Sequence, residues 1–322
     1  MSQPTAAPTA DYPAYRPYRV RVGEITPLSP SFVRVSFVGD ALEHFGVDGL
    51  DQRIKLVFPL PGIGLSDIGA DEGDGDWYQR WRELPPEQQN PFRTYTVRAI
   101  DPVARRLDVD FVRHEAEADG SHATQGPAAR WLDTAAPGDE LLISGPDSRS
   151  ANSHIGIDWR PGRASELLLL GDETAAPAIC AILAALPPES RGTALIEVPE
   201  AADQLPAPAP AGLSVHWLPR GGAPCGARLV PAVRDWLAEH PEVVAAAGAP
   251  LPQPLEDIDV DTEILWDSPD PEASAPGGLY AWLAGESGVI KGLRRTLVTE
   301  HGVDRGRVAF MGYWRLGKAE RQ

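Results

Sequence analysis

The run ELLLLGDETAAPAICAILAALPP, residues 166–188, constrains the fold more than any other stretch of the chain. Four consecutive leucines leave a strand no polar face, so it must be covered on both sides, which is the situation of a parallel strand in an α/β sheet. A glycine turn and an apolar helical run follow directly. TALIEVPE, LSVHWLPR and GGLYAWLAG read as further strands, and RLVPAVRDWLAEH as a helix between them. Residues 164–322 are therefore expected to form a parallel-sheet, nucleotide-binding-type domain that closes with a helix and a short strand. The Pro-, Ala- and Asp-rich residues 242–278 are expected to be a mobile loop before the last crossover.

Upstream the texture is different. YRVRVGEITPL, SFVRVSFVG, RIKLVFP, RTYTVRAI, RLDVDFVRH and DELLISGP are short strands separated by Pro, Gly and Asp turns. They predict a six-stranded antiparallel barrel over residues 16–163, behind a flexible leader, residues 1–15. A chain of 322 residues suits two such domains, each with its own core. In RTYTVRAI the expected faces are Tyr95, Val97 and Ala99 against Arg93, Thr94, Thr96 and Arg98. An acidic, glycine-rich insertion precedes that strand and ends in Trp77, Tyr78 and Trp81. It reads either as a surface loop anchored by its aromatics or as a lid over a planar ligand.

Charge and composition remove several classes of function. A net charge of -17 argues against nucleic acid, whose phosphates require a positive surface. Cys180 and Cys225 are too few and too far apart for a disulfide framework or a protein-bound iron–sulfur cluster, and the seven histidines show no metal-ligand spacing. No metal site is expected. The first residues lack a secretory signal, and the longest apolar helical run, residues 175–186, is about half of a bilayer span. A cytoplasmic protein without membrane insertion is the expectation.

The chemistry is concentrated in three segments. Arg93, Tyr95 and Thr96 supply, in order, a cation, an aromatic ring and hydrogen-bond donors. A flavin nucleotide asks for the same three: Arg93 for its pyrophosphate, Tyr95 to stack on the tricyclic ring, and Thr96 with its N–H for the ring's polar edge. An amphipathic strand with surface arginines would look the same. In GPAARWL, Gly126 and Pro127 open a short helix whose free N–H groups suit a phosphate, beside Arg130. His114 either flanks the flavin ring or caps its strand. The turn GDETAAPA departs from a dinucleotide fingerprint, because Asp172 and Glu173 put carboxylates where a pyrophosphate would lie, although Thr174 and the helix N-terminus still offer donors. A connection without any ligand remains open there.

RTYTVR, DFVRH, the GPA motif with Trp131, GDETAAPAI, YAWLAGE and GYWR, in that order, resemble the siderophore-interacting proteins, flavin-dependent ferric-siderophore reductases of the ferredoxin-NADP reductase superfamily. The resemblance runs from about Tyr18 to Gly317. It implies an FAD site at Arg93, Tyr95 and Thr96, with Asp110 and His114 on the next flavin-contacting strand and Gly126, Pro127 and Ala128 as the pyrophosphate loop. It also implies that Asp172, Glu173 and Thr174 form the family's acidic turn, and that Trp282, Gly285, Glu286, Trp314 and Arg315 lie beside the flavin. Ala129 and Arg113 stand where the family commonly has serine and leucine.

On this resemblance, NAD(P)H or a ferredoxin reduces FAD, which passes electrons to Fe(III) in a siderophore, and the protein is expected to be a monomer. An anionic siderophore approaching so acidic a protein demands a local cationic patch, for which Lys55, Arg130 and Arg315 are the candidates. The basic run KGLRR at 291–295 reads as a solvated helix face. Arg220, closing LSVHWLPR, is a candidate for a 2′-phosphate and hence for NADPH. A general flavin reductase and a non-enzymatic siderophore-binding module are the competing classes.

Overall fold

The computed structural model describes residues 12–72, 75–113, 126–255, 265–270 and 276–317. The chain divides into two units, the first comprising the chain up to Leu28 and Phe32–Ile157, the second Ser29–Ser31 and the chain from Asp158.

The first unit is built from β1 (Tyr15–Pro27), β2 (Phe32–Val38), β3 (Arg53–Val57), the short helix α1 (Trp77–Glu83), β4 (Phe92–Thr96), β5 (Ala99–Asp101), β6 (Arg106–Val112), α2 (Pro127–Leu132) and β7 (Glu140–Pro146). β1 alternates buried Tyr18, Val20 and Val22 with exposed Arg19 and Arg21, which fixes one face on the core. A bulge between Val22 and Glu24 bends it, so that its first half pairs with β7 and its second with β2. The sheet runs β4-β3-β7-β1-β2-β6-β5 with antiparallel neighbours throughout. Tyr18, Phe37, Phe45, Leu56, Phe111 and Ile143 fill its interior.

This sheet has seven strands where six are expected, because RTYTVRAI is not one strand. It breaks after Thr96 into β4 and β5, which lie at opposite edges of the sheet. Two successive amides show how. Val97 N–H donates to the carbonyl of Gln52, beside β3, at 3.1 Å, while Arg98 N–H donates to the carbonyl of Asp108 on β6 at 3.0 Å. A dipeptide bonded in both directions draws the edges together and curls the sheet into a half-barrel. The expected faces change with it. Within β4 the period of two puts Arg93 and Tyr95 on one face, and Phe92, Thr94 and Thr96 on the other.

The insertion before β4 packs through its aromatics. Trp77 and Trp81 are buried against Phe92, Val57 and Leu142, with Trp81 and Phe92 edge to face at 5.1 Å. Asn90, 1% exposed, pins its return. It accepts from Ser66 N–H at 2.8 Å and donates to the carbonyls of Phe58 and Gly64 at 2.9 and 2.8 Å. Replacing Asn90 by Ala should strand these buried backbone groups and cost about 3 kcal/mol, measured as a lower urea midpoint of unfolding at unchanged slope.

The second unit contains β8 (Glu166–Gly171), α3 (Ala176–Ala185), β9 (Arg191–Val198), β10 (Gly212–Pro219), α4 (Leu229–Glu239), α5 (Pro241–Ala246), β11 (Trp266–Asp267), β12 (Leu279–Glu286), α6 (Ser287–Arg295) and β13 (Val308–Trp314). Its sheet order is β10-β9-β8-β12-β13-β11. The first five of these strands are parallel, as the leucine run requires, and Leu168, Leu169 and Leu170 have no exposure. The sheet is not wholly parallel, because two-residue β11 pairs antiparallel to β13 at the edge. β11 comes from the stretch expected to be a mobile loop, and α5 takes another part of it.

Sequence order runs outward from β8 to β10, then returns to β12. Right-handed crossovers therefore place α3 and α4 on opposite faces of the sheet. The reversal between β8 and β12 is a topological switch point, where the carboxyl ends of the strands open a ligand crevice in folds of this type. Gly171, Asp172, Gly285 and Glu286 all lie at that point.

Candidate functional site

In the first unit the site grows from the seam that the Val97–Arg98 dipeptide closes. Among the described residues β4 pairs as a strand only with β3, and its other edge carries no ladder. Tyr95 spans the seam, its ring centroid 4.4 Å from that of Phe111 on β6. Phe111 in turn packs at 5.8 Å on Trp131 of α2. The half-buried Arg93 shares the Tyr95 face, and one of its terminal nitrogens donates to the carbonyl of Phe92 at 2.7 Å. Thr96 is buried with its side chain on the other face, so it can meet a ligand of the seam through its N–H rather than its hydroxyl.

Gly126 precedes α2 in extended conformation, and among the described residues a Cβ there would meet nothing within 4 Å. That open approach leads to the first turn of α2, where Pro127 has no N–H to satisfy and buried Ala128 keeps the backbone accessible. Cation, stacking ring, strand edge and glycine-led turn are what a flavin nucleotide needs, and these residues fit FAD.

Asp110, expected on the flavin-contacting strand, is engaged within the unit. Its carboxylate has no exposure and is held by Arg34 through two bonds of 2.7 and 2.9 Å, with Arg98 at 3.5 Å. It therefore orients two guanidinium groups across β2 and β6. His114 lies outside the described residues. Lys55 faces away from Tyr95, because it pairs with Thr94 across β3 and β4. Its ammonium donates to Thr94 Oγ1 at 2.5 Å and sits 5.5 Å from the Phe92 ring centroid. Arg130 is exposed on α2.

In the second unit the acidic turn is an internal hub. Asp172, 2% exposed, accepts from Trp314 Nε1 at 2.8 Å, from Glu286 N–H at 2.7 Å, and from the Thr174 N–H and hydroxyl at 2.9 and 2.6 Å. Gly285 makes room for this, since a Cβ there would come within 2.5 Å of the Asp172 carboxylate. The Asp172 carbonyl takes the N–H groups of Ala175 and Ala176, so the amides entering α3 are already engaged. Glu173 is clasped by Arg220 through two bonds of 2.6 Å. The carboxylates expected to repel a phosphate are thus tied down inside the unit, and Arg220, expected to meet a 2′-phosphate, is paired.

Glu286 continues the hub by accepting from Val289 N–H at 2.9 Å at the start of α6, and Ser287 Oγ donates to the Trp314 carbonyl at 2.9 Å. Trp282, expected beside the flavin, has no exposure and is a core residue. Arg315 follows β13 and is half-buried. Glu197 is a residue that the sequence reading passed over. It ends an apolar strand, is 0% exposed, and accepts from the N–H groups of Gly226, Arg228 and Leu229 at 2.7, 2.8 and 2.9 Å. Its only signal was an acid inside TALIEV.

Burial, reinforced by neighbouring Glu173, pushes the Asp172 carboxyl up to about 6. Burial also raises the Cys225 thiol, whose Sγ lies 3.7 Å from Asp172 Oδ2. A carboxyl whose folded pKa exceeds its unfolded value contributes stability that is full at low pH and lost as pH rises through the folded value. Wild type should therefore lose stability relative to Asp172→Asn between about pH 4 and pH 7, read by urea unfolding across that range.

A curled antiparallel half-barrel followed in sequence by a switch-point α/β unit is the ferredoxin-reductase type of fold. Solved ferredoxin reductases share this fold at 14% and 12% identity with TM-scores of 0.51 and 0.54. Residues 21–150 match the siderophore-interacting FAD-binding domain, and residues 164–317 match the siderophore-interacting protein family. The chain belongs to that family. An uncharacterised protein of Mycobacterium tuberculosis is 33% identical over 296 residues, 91% of this chain and 88% of its own. The ferric vibriobactin reductase ViuB of Vibrio cholerae is 27% identical over 294 residues, 91% and 87% of the two chains. The crystal structure of a siderophore utilization protein from T. fusca superposes with a TM-score of 0.64 at 27% identity, covering 98% of each chain.

Proposed function

We propose that this protein is an FAD-dependent ferric-siderophore reductase that takes electrons from NAD(P)H, with a ferredoxin as the alternative donor, and releases iron as Fe(II) for use in the cytoplasm. The observation that carries the reading is the β4 edge, where Arg93 and Tyr95 share a face at an open seam beside the glycine-led turn of α2. Bound flavin supplies the conversion of a two-electron hydride donor into single-electron delivery to iron. Ferric iron in its chelate is the substrate. Siderophores hold Fe(III) far more tightly than Fe(II), so reduction alone frees the metal.

The chain's own residues bind and orient. Arg93 and the first turn of α2 would hold the pyrophosphate, Tyr95 would stack on the ring, and the Thr96 N–H would meet its polar edge. Asp110 keeps Arg34 and Arg98 fixed behind them, as a positioning residue. Asp172, through Trp314 and Glu286, holds the end of β13 against the end of β12. The cationic groups assigned to an anionic ferric chelate are Lys55, Arg130 and Arg315. No general acid, base or nucleophile is required by electron transfer, and the assigned residues supply none.

Purified protein should be yellow. After anaerobic reduction it should be reoxidised within seconds by at least one class of ferric siderophore, with Fe(II) trapped by a chromogenic chelator. Reoxidation by free flavin or quinones alone would support a general flavin reductase, and a colourless protein that binds the ferric chelate would support a binding module. Arg93→Ala should lose most of its FAD on gel filtration. A variant as yellow as wild type would remove Arg93 from the pyrophosphate site.

A further inference from the structure

The paired arginine at the end of β10 carries an inference about the electron donor, and it rests on the reading that a reduced nicotinamide nucleotide serves this protein. In a doubly wound sheet the adenosine half of such a nucleotide lies over the carboxyl ends of the first strands of the unit. A carboxylate there meets the ribose 2′-hydroxyl in NAD, and an arginine accommodates the 2′-phosphate in NADP. Here both groups are present and both are occupied. Glu197, on the second strand, is fully buried and bonded to three amides entering α4. Arg220, directly after the third, gives both terminal nitrogens to Glu173, and Glu197 stands 3.8 Å away.

We propose that Glu173 is a specificity-determining positioning residue: by clasping Arg220 it withholds the 2′-phosphate site, so the protein accepts NADH at least as well as NADPH. To serve a 2′-phosphate, Arg220 would have to abandon a two-bond pair and strand a carboxylate whose side chain is 3% exposed. The incoming phosphate would meet one guanidinium against the three carboxyl groups of Asp172, Glu173 and Glu197. Like charge opposes it at close range, and the phosphate-free nucleotide escapes that penalty. Burial strengthens the clasp, since the Arg220 side chain is itself only 15% exposed.

The test uses the flavin-loaded protein. Dissociation constants of NAD+ and NADP+ are measured by calorimetry for wild type and Glu173→Gln over a salt series, with anaerobic KM and kcat for NADH and NADPH alongside. Wild type should bind NADP+ no more tightly than NAD+, and added salt should favour NADP+ relative to NAD+, because screening relieves a repulsion. Glu173→Gln should shift the affinity ratio toward NADP+ by about tenfold, appearing in KM and not in kcat. Wild-type preference for NADP+ that weakens with salt would overturn the proposal, as would a folded Glu173→Gln with an unchanged ratio. If that variant fails to fold, the wild-type salt series decides between the two signs. Failure of both nucleotides to bind also overturns the proposal. The reductase reading is then judged separately, by whether dithionite-reduced protein is reoxidised by a ferric siderophore.

Discussion

The first unit depends on two neighbouring amides that bond in opposite directions. Val97 ties the chain to the residue leading β3, Arg98 ties it to β6, and these strands lie toward opposite ends of the sheet. A flat sheet cannot satisfy both bonds, so the sheet curls. Closure at that one point leaves the rest of the seam without a ladder between β4 and β6 among the described residues. Tyr95 and Phe111 bridge it by ring contact. The strand edge and the aromatic face assigned to the flavin therefore both follow from where the barrel stops pairing.

The second unit deals with an opposite difficulty, which is negative charge at a crevice that would ordinarily receive phosphates. Its acids are absorbed by the fold. Asp172 collects backbone, hydroxyl and indole donors, Glu173 is matched by Arg220, and Glu197 holds the start of α4. The protein's overall negative charge thus does not by itself describe the site, because the local groups are paired and oriented.

Much of this was legible in the chain. The leucine run forced a doubly covered strand, and the turn-separated strands before it forced a barrel, because both depend on hydrophobic period alone. The flavin strand was recognisable from Arg93, Tyr95 and Thr96, yet their faces were not, since the break at Val97 is set by hydrogen bonds to distant strands. The same holds for Asp110 and Arg220. As residue types they suggest ligand contacts, and only tertiary pairing with Arg34 and Glu173 reveals that they are engaged. Trp282 reads as a site aromatic and is core, because β12 is covered on both faces. Glu197 was hidden for the converse reason, an acid whose partners are amides about 30 residues away in the chain.

The flavin's seat is assigned to the edge of β4 that carries no ladder among the described residues. Hydrogen exchange of backbone amides, followed by mass spectrometry with and without FAD, tests it most directly. FAD should slow exchange in the segment from Arg93 to Arg98 and in the first turn of α2, more than anywhere in the second unit. Unchanged exchange in both segments, with protection confined to other parts of the chain, would contradict it.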